Sequence, residues 1–425
     1  MSRFRDLGFP VARRGNEEWK YTDIGPIART PFHTAHTAGT QEPTTISSIE
    51  LSEATLSRPD GIRLVFVDGV YSQALSFIPT LPAGATVSSL AHALETEGDL
   101  VKQHLTRYAE YQDNAFTALN TAFLHHGAFV HVQDGVSLEE PVHILFLFTG
   151  RESDTATHPR VLIATGRDSK ATIVESYVSL SEVRYFANAV TEVMVGRGSS
   201  VKYYKVQQQS PGAYHITNTH VFNSQDASFT SMNLDLGGGL VRNNLNVLMA
   251  EEGCSCTLNG LYMLSGAQHV DNQVIIDHAS SYTNASELYK GILNDSSRSV
   301  FHGSISVRKG VKKVNARQVD KNLLLSDQAE ADTKPAFWIY ADDVKCGHGA
   351  ACGQMDENAL FYLRSRGVEE KDARRMLTRA FASEVVDSIE VAALRERVDR
   401  LVQARLTRWF DRGELDEKAT QSVSR

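Results

Sequence analysis

Cys346, His348 and Cys352 form a C-x-H-x3-C pattern near the C-terminal end of the chain. A thiolate and an imidazole together suit soft or borderline metals such as zinc and iron. The spacing matches no closed four-ligand zinc module, so three ligands at most would leave an open site or need a partner chain. The alternative is a structural turn between two domains, for which the interspersed glycines are suited. On the residues alone, both interpretations stay open.

Cys254 and Cys256 form a second pair, C-x-C, inside a run of β-forming residues. Residues i and i+2 of a strand point to the same face, so both thiols could contact one ligand. Free cysteine is also a common small core residue, and packing is the favoured interpretation. The fifteen histidines show no H-E-x-x-H spacing, and no P-loop, dinucleotide fingerprint or G-x-S-x-G occurs. Nucleotide binding by this chain and an α/β-hydrolase activity are therefore disfavoured.

The composition is that of an ordinary globular protein. The 425 residues carry a net charge of −8. The chain therefore lacks the excess of basic residues expected of a nucleic-acid-binding protein. No apolar run approaches the roughly 20 residues of a transmembrane helix, and no secretory signal is visible. Four cysteines are too few for a disulfide framework, so we expect reduced thiols in the cytoplasm.

The first 125 residues predict an α-rich domain with one hairpin. Apolar residues recur at helical spacing from residue 87 to about 124, and Asp68-Gly69 lies between two β-rich runs in residues 61–72. Residues 30–48 are rich in Thr, His and Ser and are expected to be loosely structured.

Residues 126–350 show a different sequence pattern, in which short β-rich runs alternate with polar turn clusters. The first five clusters lie about 27 to 30 residues apart, a repeat that favours a solenoid. A right-handed parallel β-helix fits this pattern, and a large β-sandwich or barrel fits it about equally well. We therefore predict a mainly β protein, flanked by the N-terminal region and by a C-terminal helical domain at residues 351–425.

The C-terminal helical pattern carries more apolar surface than one helix pair needs to cover itself. Aromatic, Met and Arg side chains together are typical of a protein interface. Packing against the end of the β domain would account for about half of them. The predicted partner-binding residues are Phe361, Leu363, Arg364, Arg366, Met376, Leu377 and Phe381.

Several stretches, in order, resemble the SufB/SufD family of iron–sulfur cluster assembly scaffolds. They are NEEWKYTDI, GGGLVRNNLNV, HVDNQVIIDH, YKGILNDSSRSVFHGSISV, NLLLSDQAEADTKP and IYADDVKCGHGAACGQMDENALFYLRSRG. The Trp19 element, Gly349 after His348, and Val319 without a neighbouring thiol are typical of the SufD-type branch. Phe337-Trp338 stands where the family commonly has Leu-Glu, so a carboxylate at the junction is missing.

The resemblance implies a right-handed parallel β-helix and a scaffold subunit rather than an enzyme. It implies that Cys346 and His348 face a SufB-type subunit, where an iron–sulfur cluster assembles transiently and is not held stably by the isolated chain. Two ligands are too few for a whole cluster, which fits a shared site, and Cys352 is expected to be a packing residue. The C-terminal helices are expected to dock a SufC-type ABC ATPase. An isolated chain can also form a homodimer, and neither nucleic acid nor membrane is an expected partner.

The alternative function is a carbohydrate-active enzyme on a β-helix, a polysaccharide lyase or hydrolase. Such an enzyme needs a carboxylate or basic cluster in a surface groove. Asp235, Asp271 and Asp277 are the candidates, although nothing in the sequence indicates that they converge.

Overall fold

The computed structural model describes residues 1–12, 16–34, 46–56 and 60–423, with side chains as far as residue 411. Residues 35–45, most of the segment predicted to be loosely structured, lie outside the described residues. The helices are α1 (Ser2–Leu7), α2 (Gly25–Arg29), α3 (Ser48–Ala54), α4 (Leu90–Thr96), α5 (Gly98–His104), α6 (Ala115–Ala122), α7 (Glu357–Ser365), α8 (Glu370–Val386) and α9 (Ala392–Val423). The strands are β1 (His33–Thr34), β2 (Arg63–Val67), β3 (Val70–Tyr71), β4 (Ala85–Ser89), β5 (Gly127–Val132), β6 (Val142–Phe148), β7 (Thr155–Thr157), β8 (Arg160–Thr165), β9 (Lys170–Ser179), β10 (Tyr185–Val195), β11 (Ser200–Gln208), β12 (Ala213–Asn223), β13 (Ser228–Asp235), β14 (Leu240–Met249), β15 (Ser255–Leu264), β16 (His269–His278), β17 (Asn284–Leu293), β18 (Arg298–Val307), β19 (Val314–Leu324), β20 (Glu330–Ile339) and β21 (Val344–Gly353).

The strands form two facing parallel sheets, and from β8 onwards the chain alternates between them. One sheet runs in the order β20-β18-β16-β14-β12-β10-β8-β5-β4, and the other in the order β21-β19-β17-β15-β13-β11-β9-β6-β2-β3. Ser200 lies opposite Ser228, and Ser228 opposite Ser255, which agrees with the predicted repeat. The predicted parallel β-helix is confirmed, and the sandwich and barrel alternatives are excluded.

Apolar residues at every second position of each strand point between the two sheets and stack on the next coil. The rings of Phe66, Phe146 and Tyr177 form one such ladder, with successive centroids 4.9 Å apart. This distance is close to the spacing of neighbouring strands, so identical inward positions pack ring on ring. The continuous core that results holds the coils in register.

Successive turns on one side of the β-helix use a left-handed backbone conformation. Asp168, Gly198, Asp226 and Gly253 have φ of 51°, 67°, 55° and 75°. Asp, Asn and Gly tolerate this conformation best, which is why these residues recur in the turn clusters. The predicted hairpin is also confirmed, since β2 and β3 pair antiparallel on either side of Asp68-Gly69.

The N-terminal region is joined to the β-helix rather than separate from it. The predicted helices are present as α4, α5 and α6, but β2 and β4 add to the two sheets. The region is held by Glu192, a buried residue of β10 that pairs with buried Arg160 and accepts backbone N–H bonds from the loop after α5, including that of Thr106. Charged groups this deeply buried are stable only when paired and hydrogen-bonded.

Helices α8 and α9 cover the outer face of the ten-stranded sheet. Their buried side chains, among them Val385, Val398 and Leu406, pack on outward-facing Leu234 and Met263 of that sheet. The helices therefore lie along the side of the β-helix and leave its last coil, β20 and β21, largely exposed. No helix within the described ranges is long and apolar enough to cross a membrane.

Candidate functional site

The C-x-H-x3-C segment is an edge strand and not a turn. The structural-turn alternative is wrong, because Val344–Gly353 form β21, which pairs in parallel with β19. The domain boundary expected at residue 350 lies within this strand. β21 is the terminal strand of its sheet, so its free edge carries no strand among the described residues.

Cys346 and His348 point to the same face of β21, towards the interior of the β-helix. Their register partners on β19 are Ala316 and Gln318, both of which are buried. Cys346 is half-buried against the main core, whereas His348 is exposed, with its ring 4.5 Å from that of Phe337. Two residues along a strand place the Cα atoms about 7 Å apart, so both side chains can reach one ion.

Cys352 also lies on this face but too far along the strand to join the pair. The prediction that it packs in the core is wrong, because it is exposed. Its Cα lies about 13 Å from that of His348, by the rise of an extended strand. Within the described part of the chain, no group of three or more His, Cys, Asp and Glu could hold a metal ion. The chain therefore offers two donors, a thiol and an imidazole, at an open edge.

The surroundings of Cys346 favour the protonated thiol over the thiolate. Partial burial raises the pKa of Cys346, and a backbone hydrogen bond with Ala316 lowers it by a smaller amount. A thiolate is the form that binds metal, so coordination of iron by Cys346 must release a proton. An activated thiolate, as in a catalytic cysteine, is not what this site provides.

A buried polar network lies directly below the edge strand. The Nε2 of Gln318 donates to Oε2 of Glu287 at 2.8 Å, and burial raises the pKa of Glu287 to about 8. Burial likewise raises the pKa of Asp320 to about 6, and Tyr262 donates to Asn322 at 2.7 Å. The sequence did not predict this network, although Gln318, Asp320 and Asn322 occupy every second position of the strand.

Exposed aromatic residues on the last coil were also missed as site residues. Trp338 and Tyr340, at the end of β20, are 57% and 63% exposed, and Ile339 between them is 38% exposed. Phe337 points inwards to His348, whereas Trp338 is exposed. The Phe337-Trp338 pair, which stands where the family commonly has Leu-Glu, therefore places one ring beside the histidine and the other in solvent. Large apolar side chains exposed together on an unpaired edge are typical of an interface.

The predicted partner-binding residues divide into two groups. Phe361 and Met376 are 73% and 52% exposed, and Arg364 and Arg366 are exposed beside them. Tyr362, which the prediction left out, is 57% exposed, with the guanidinium of Arg366 5.1 Å from its ring. The remaining three, Leu363, Leu377 and Phe381, are half-buried in the cluster that joins α7 and α8 to β19.

The other candidate residues have structural surroundings. Cys254 and Cys256 are buried in the main core, which confirms the packing interpretation. Asp235 lies inside the β-helix, bonded to asparagine side chains; Asp271 pairs with Arg242 under the N-terminal region; Asp277 pairs with Arg308 on the surface. These three carboxylates have separate partners and do not converge, so they give the carbohydrate-active alternative no support.

Comparisons with known proteins agree with this architecture. Residues 146–381 match the family described as the SufBD core domain of the SUF system for FeS cluster assembly, and residues 1–144 match the SufBD protein N-terminal region. The chain is 32% identical over 408 residues to the iron–sulfur cluster assembly protein SufD of Escherichia coli, covering 94% of this chain and 90% of that protein. It is 31% identical over 405 residues to an iron–sulfur cluster assembly SufBD family protein of Synechocystis, covering 93% and 87%.

A parallel β-helix with an open last coil and a Cys–His pair on its edge is thus the architecture on which these comparisons agree. The chain belongs to the SufB/SufD family of iron–sulfur cluster assembly proteins and is of the SufD type.

Proposed function

We propose that this chain is the SufD-type scaffold subunit of a complex with a SufB-type subunit and a SufC-type ABC ATPase. The observation that carries the proposal is the edge strand β21, which presents Cys346 and His348 on one face beside an unpaired strand edge. The chain has no enzymatic turnover in this proposal, and it works in the cytoplasm. The isolated chain holds no cluster stably.

The free edge of β21 supports pairing with a second β-helix. An edge strand presents unpaired backbone N–H and C=O groups, which a strand of another chain can complete. A SufB-type subunit that pairs here would bring its own ligands next to Cys346 and His348. The assembling cluster is cargo at this junction, with ligands from both chains.

The α7–α8 surface supports docking of the ATPase. Phe361, Tyr362 and Met376 are exposed there beside Arg364 and Arg366, a composition typical of binding hot spots. Because α8 contacts β15 and β17, a force on α8 would reach coils close to the edge strand. We propose that ATP-dependent movement of the ATPase opens the shared site by this route.

Co-expression with SufB-type and SufC-type proteins tests the proposal. A tagged chain should retain both partners through affinity and size-exclusion steps, and the reconstituted complex should accumulate iron and sulfide. A chain that elutes alone under these conditions would refute the scaffold role. ATPase activity intrinsic to the purified chain, free of any SufC-type protein, would refute its non-catalytic role.

A further inference from the structure

The imidazole of His348 has no hydrogen-bond partner among the described residues. A histidine that binds a metal usually has its second ring nitrogen held by a carboxylate, a backbone carbonyl or water, and this bond fixes the direction of the ring. Gln318, the register partner of His348 on β19, does not supply it, because its Nε2 donates to Glu287 and its Oε1 has no partner. Within the described part of the chain, the imidazole is therefore oriented by packing and not by a hydrogen bond.

The ring of Phe337 supplies this packing. Its centroid lies 4.5 Å from that of His348, with 57° between the two ring planes, at the close end of the range for favourable aromatic pairs. No other described ring lies against His348. Its neighbours on the same face of β21 are Cys346 and Ala350, whose side chains are too small to restrict the imidazole.

Phe337 is itself held in place by the core of the β-helix. It points inwards from β20, is half-buried and packs against the main hydrophobic core. Its register partner on β18, Ile305, is fully buried. A side chain anchored in this way presents a fixed surface to its neighbour, whereas an exposed histidine without such a contact exchanges between rotamers.

We propose that Phe337 is a positioning residue for the metal-binding edge, and that its ring holds the His348 imidazole beside the Cys346 thiol in the orientation that binds iron. This role rests on the proposed function, in which these two side chains are the ligands that the chain offers to the assembling cluster. A ligand that is already oriented binds more tightly, because the apparent dissociation constant rises as the competent conformation becomes rarer. Phe337 acts only through His348 and contacts no metal itself.

Nuclear magnetic resonance of the full chain, isotopically labelled at the histidine rings, tests this role without any partner protein. The His348 signal is assigned by its loss in His348→Gln. Phe337→Leu removes the ring but keeps an apolar side chain, whereas Phe337→Tyr keeps the ring. Trp338→Leu is the matched control, since Trp338 is adjacent, 57% exposed and on the other face of β20. Phe123→Leu validates the method, because the Phe123 ring stacks on that of His158 with 4.8 Å between centroids.

In the wild type, the ring current of Phe337 should displace the His348 signal from the position of an exposed histidine, and Phe337→Leu should return the signal to that position. Zn²⁺, added as the probe metal and followed at the same signal, should bind about threefold to tenfold more weakly to Phe337→Leu, the range that one aromatic contact contributes. Phe337→Tyr and Trp338→Leu should match the wild type in Zn²⁺ affinity, and Phe337→Tyr should keep the His348 signal displaced.

Phe337→Met, which fills the space with a flexible side chain, replaces Phe337→Leu if circular dichroism shows that the leucine variant does not fold. An identical His348 signal with and without the Phe337 ring, equal Zn²⁺ affinities, or no Zn²⁺ binding at His348 in the wild type would overturn the proposal. Both measurements use the chain alone. Failure to associate with a SufB-type subunit would therefore refute the proposed function while leaving the effect of Phe337 on His348 standing.

Discussion

Lys290 of β17 and Glu384 of α8 form an ion pair with 2.5 Å between Nζ and Oε2. The Lys290 side chain is only 4% exposed, whereas that of Glu384 is 52% exposed. Nζ of Lys290 also donates to the carbonyl oxygen of Phe381 at 2.8 Å and lies 4.4 Å from the centre of that ring. A lysine that is nearly buried in the sheet thus binds α8 at three points, and it fixes the helix that leads to the proposed ATPase surface.

Glu384→Gln should loosen α8 from the sheet, because it leaves the ammonium of Lys290 with a neutral partner. We expect the local opening free energy of residues 370–386 to fall by about 1 kcal/mol, measured as faster amide hydrogen exchange. Glu396→Gln is the control, since Glu396 is exposed on α9 and has no ion pair among the described residues. Equal exchange in the two variants would mean that the ion pair does not hold the helix.

Glu287 should make stability fall as the pH rises towards 8. Burial raises its pKa from 4.5 to about 8, so between these values the folded chain keeps a proton that the unfolded chain has lost. The free energy of unfolding therefore decreases with pH across this window and levels off above about 8. Asp320, whose pKa is raised to about 6, adds a decrease of the same sign at lower pH.

Urea unfolding of Glu287→Gln between pH 6 and 8 isolates the contribution of Glu287. In this range the free energy of unfolding of the wild type should fall more steeply with pH than that of the variant, by up to about 1.4 kcal/mol per pH unit. Glu252→Gln, at an exposed turn, should retain the slope of the wild type. Parallel slopes in wild type and Glu287→Gln would show that Glu287 is already ionised in the folded chain.

The repeat of turn clusters predicted the β-helix because each coil has to reverse direction at the same place. Helices α4 to α6 were predictable from the helical spacing of their apolar residues, because each helix must bury one apolar face. The strand β21 could not be predicted from the sequence, because residues 345–353 contain no β-branched residue. Most of their side chains are exposed, so the segment also shows no apolar alternation.

The polar interior was also beyond sequence analysis. Gln318, Asp320 and Asn322 alternate with Val319 and Lys321, a pattern that usually marks the polar residues as the solvent face. The structure buries all three inside the β-helix, where Gln318 donates to Glu287 and Asn322 donates to Asp320. Likewise, the apolar face of α8 and α9 was visible in the sequence, but periodicity does not identify the surface on which a helix packs.

Cys346→Ala and His348→Ala should leave the chain folded while lowering cluster formation. Because His348 is exposed, we expect His348→Ala to lower the free energy of unfolding by about 0.5 kcal/mol or less. Cys346 is half-buried at an edge, so Cys346→Ala should lower it somewhat more. Iron and sulfide in the reconstituted complex should fall for both, most clearly for His348→Ala. Cys352→Ala is the control, because it lies on the same strand face but outside the reach of the pair. Unchanged iron and sulfide in both variants would leave these side chains without a role in assembly.

The free edge of β21 should become protected when the SufB-type subunit binds. Backbone amides on an unpaired edge exchange freely, and pairing with a partner strand slows their exchange. Hydrogen exchange along residues 309–353 should therefore slow in the complex, most of all within β21. Residues 160–179, which lie within the paired interior of the sheets, provide the internal control. Identical exchange of β21 alone and in complex would place the pairing surface elsewhere.

Point substitutions on the α7–α8 surface should separate ATPase binding from folding. A deletion after Val368 would test the surface poorly, because it removes α8 and α9 and exposes Leu234 and Met263 on the sheet beneath them. Phe361→Ala and Met376→Ala remove exposed side chains instead, so the free energy of unfolding should change by less than about 0.5 kcal/mol.

The affinity for the SufC-type ATPase should fall by at least tenfold for Phe361→Ala, a loss of about 1.4 kcal/mol, and by less for Met376→Ala. Surface plasmon resonance with the full chain measures this directly. Leu94→Ala is the matched control, since Leu94 is 39% exposed on α4, beside the first coils and far from the last. If Phe361→Ala and Met376→Ala both bind the ATPase as tightly as Leu94→Ala, the exposed aromatic and Met residues serve another partner, and the docking surface has to be sought elsewhere on the molecule.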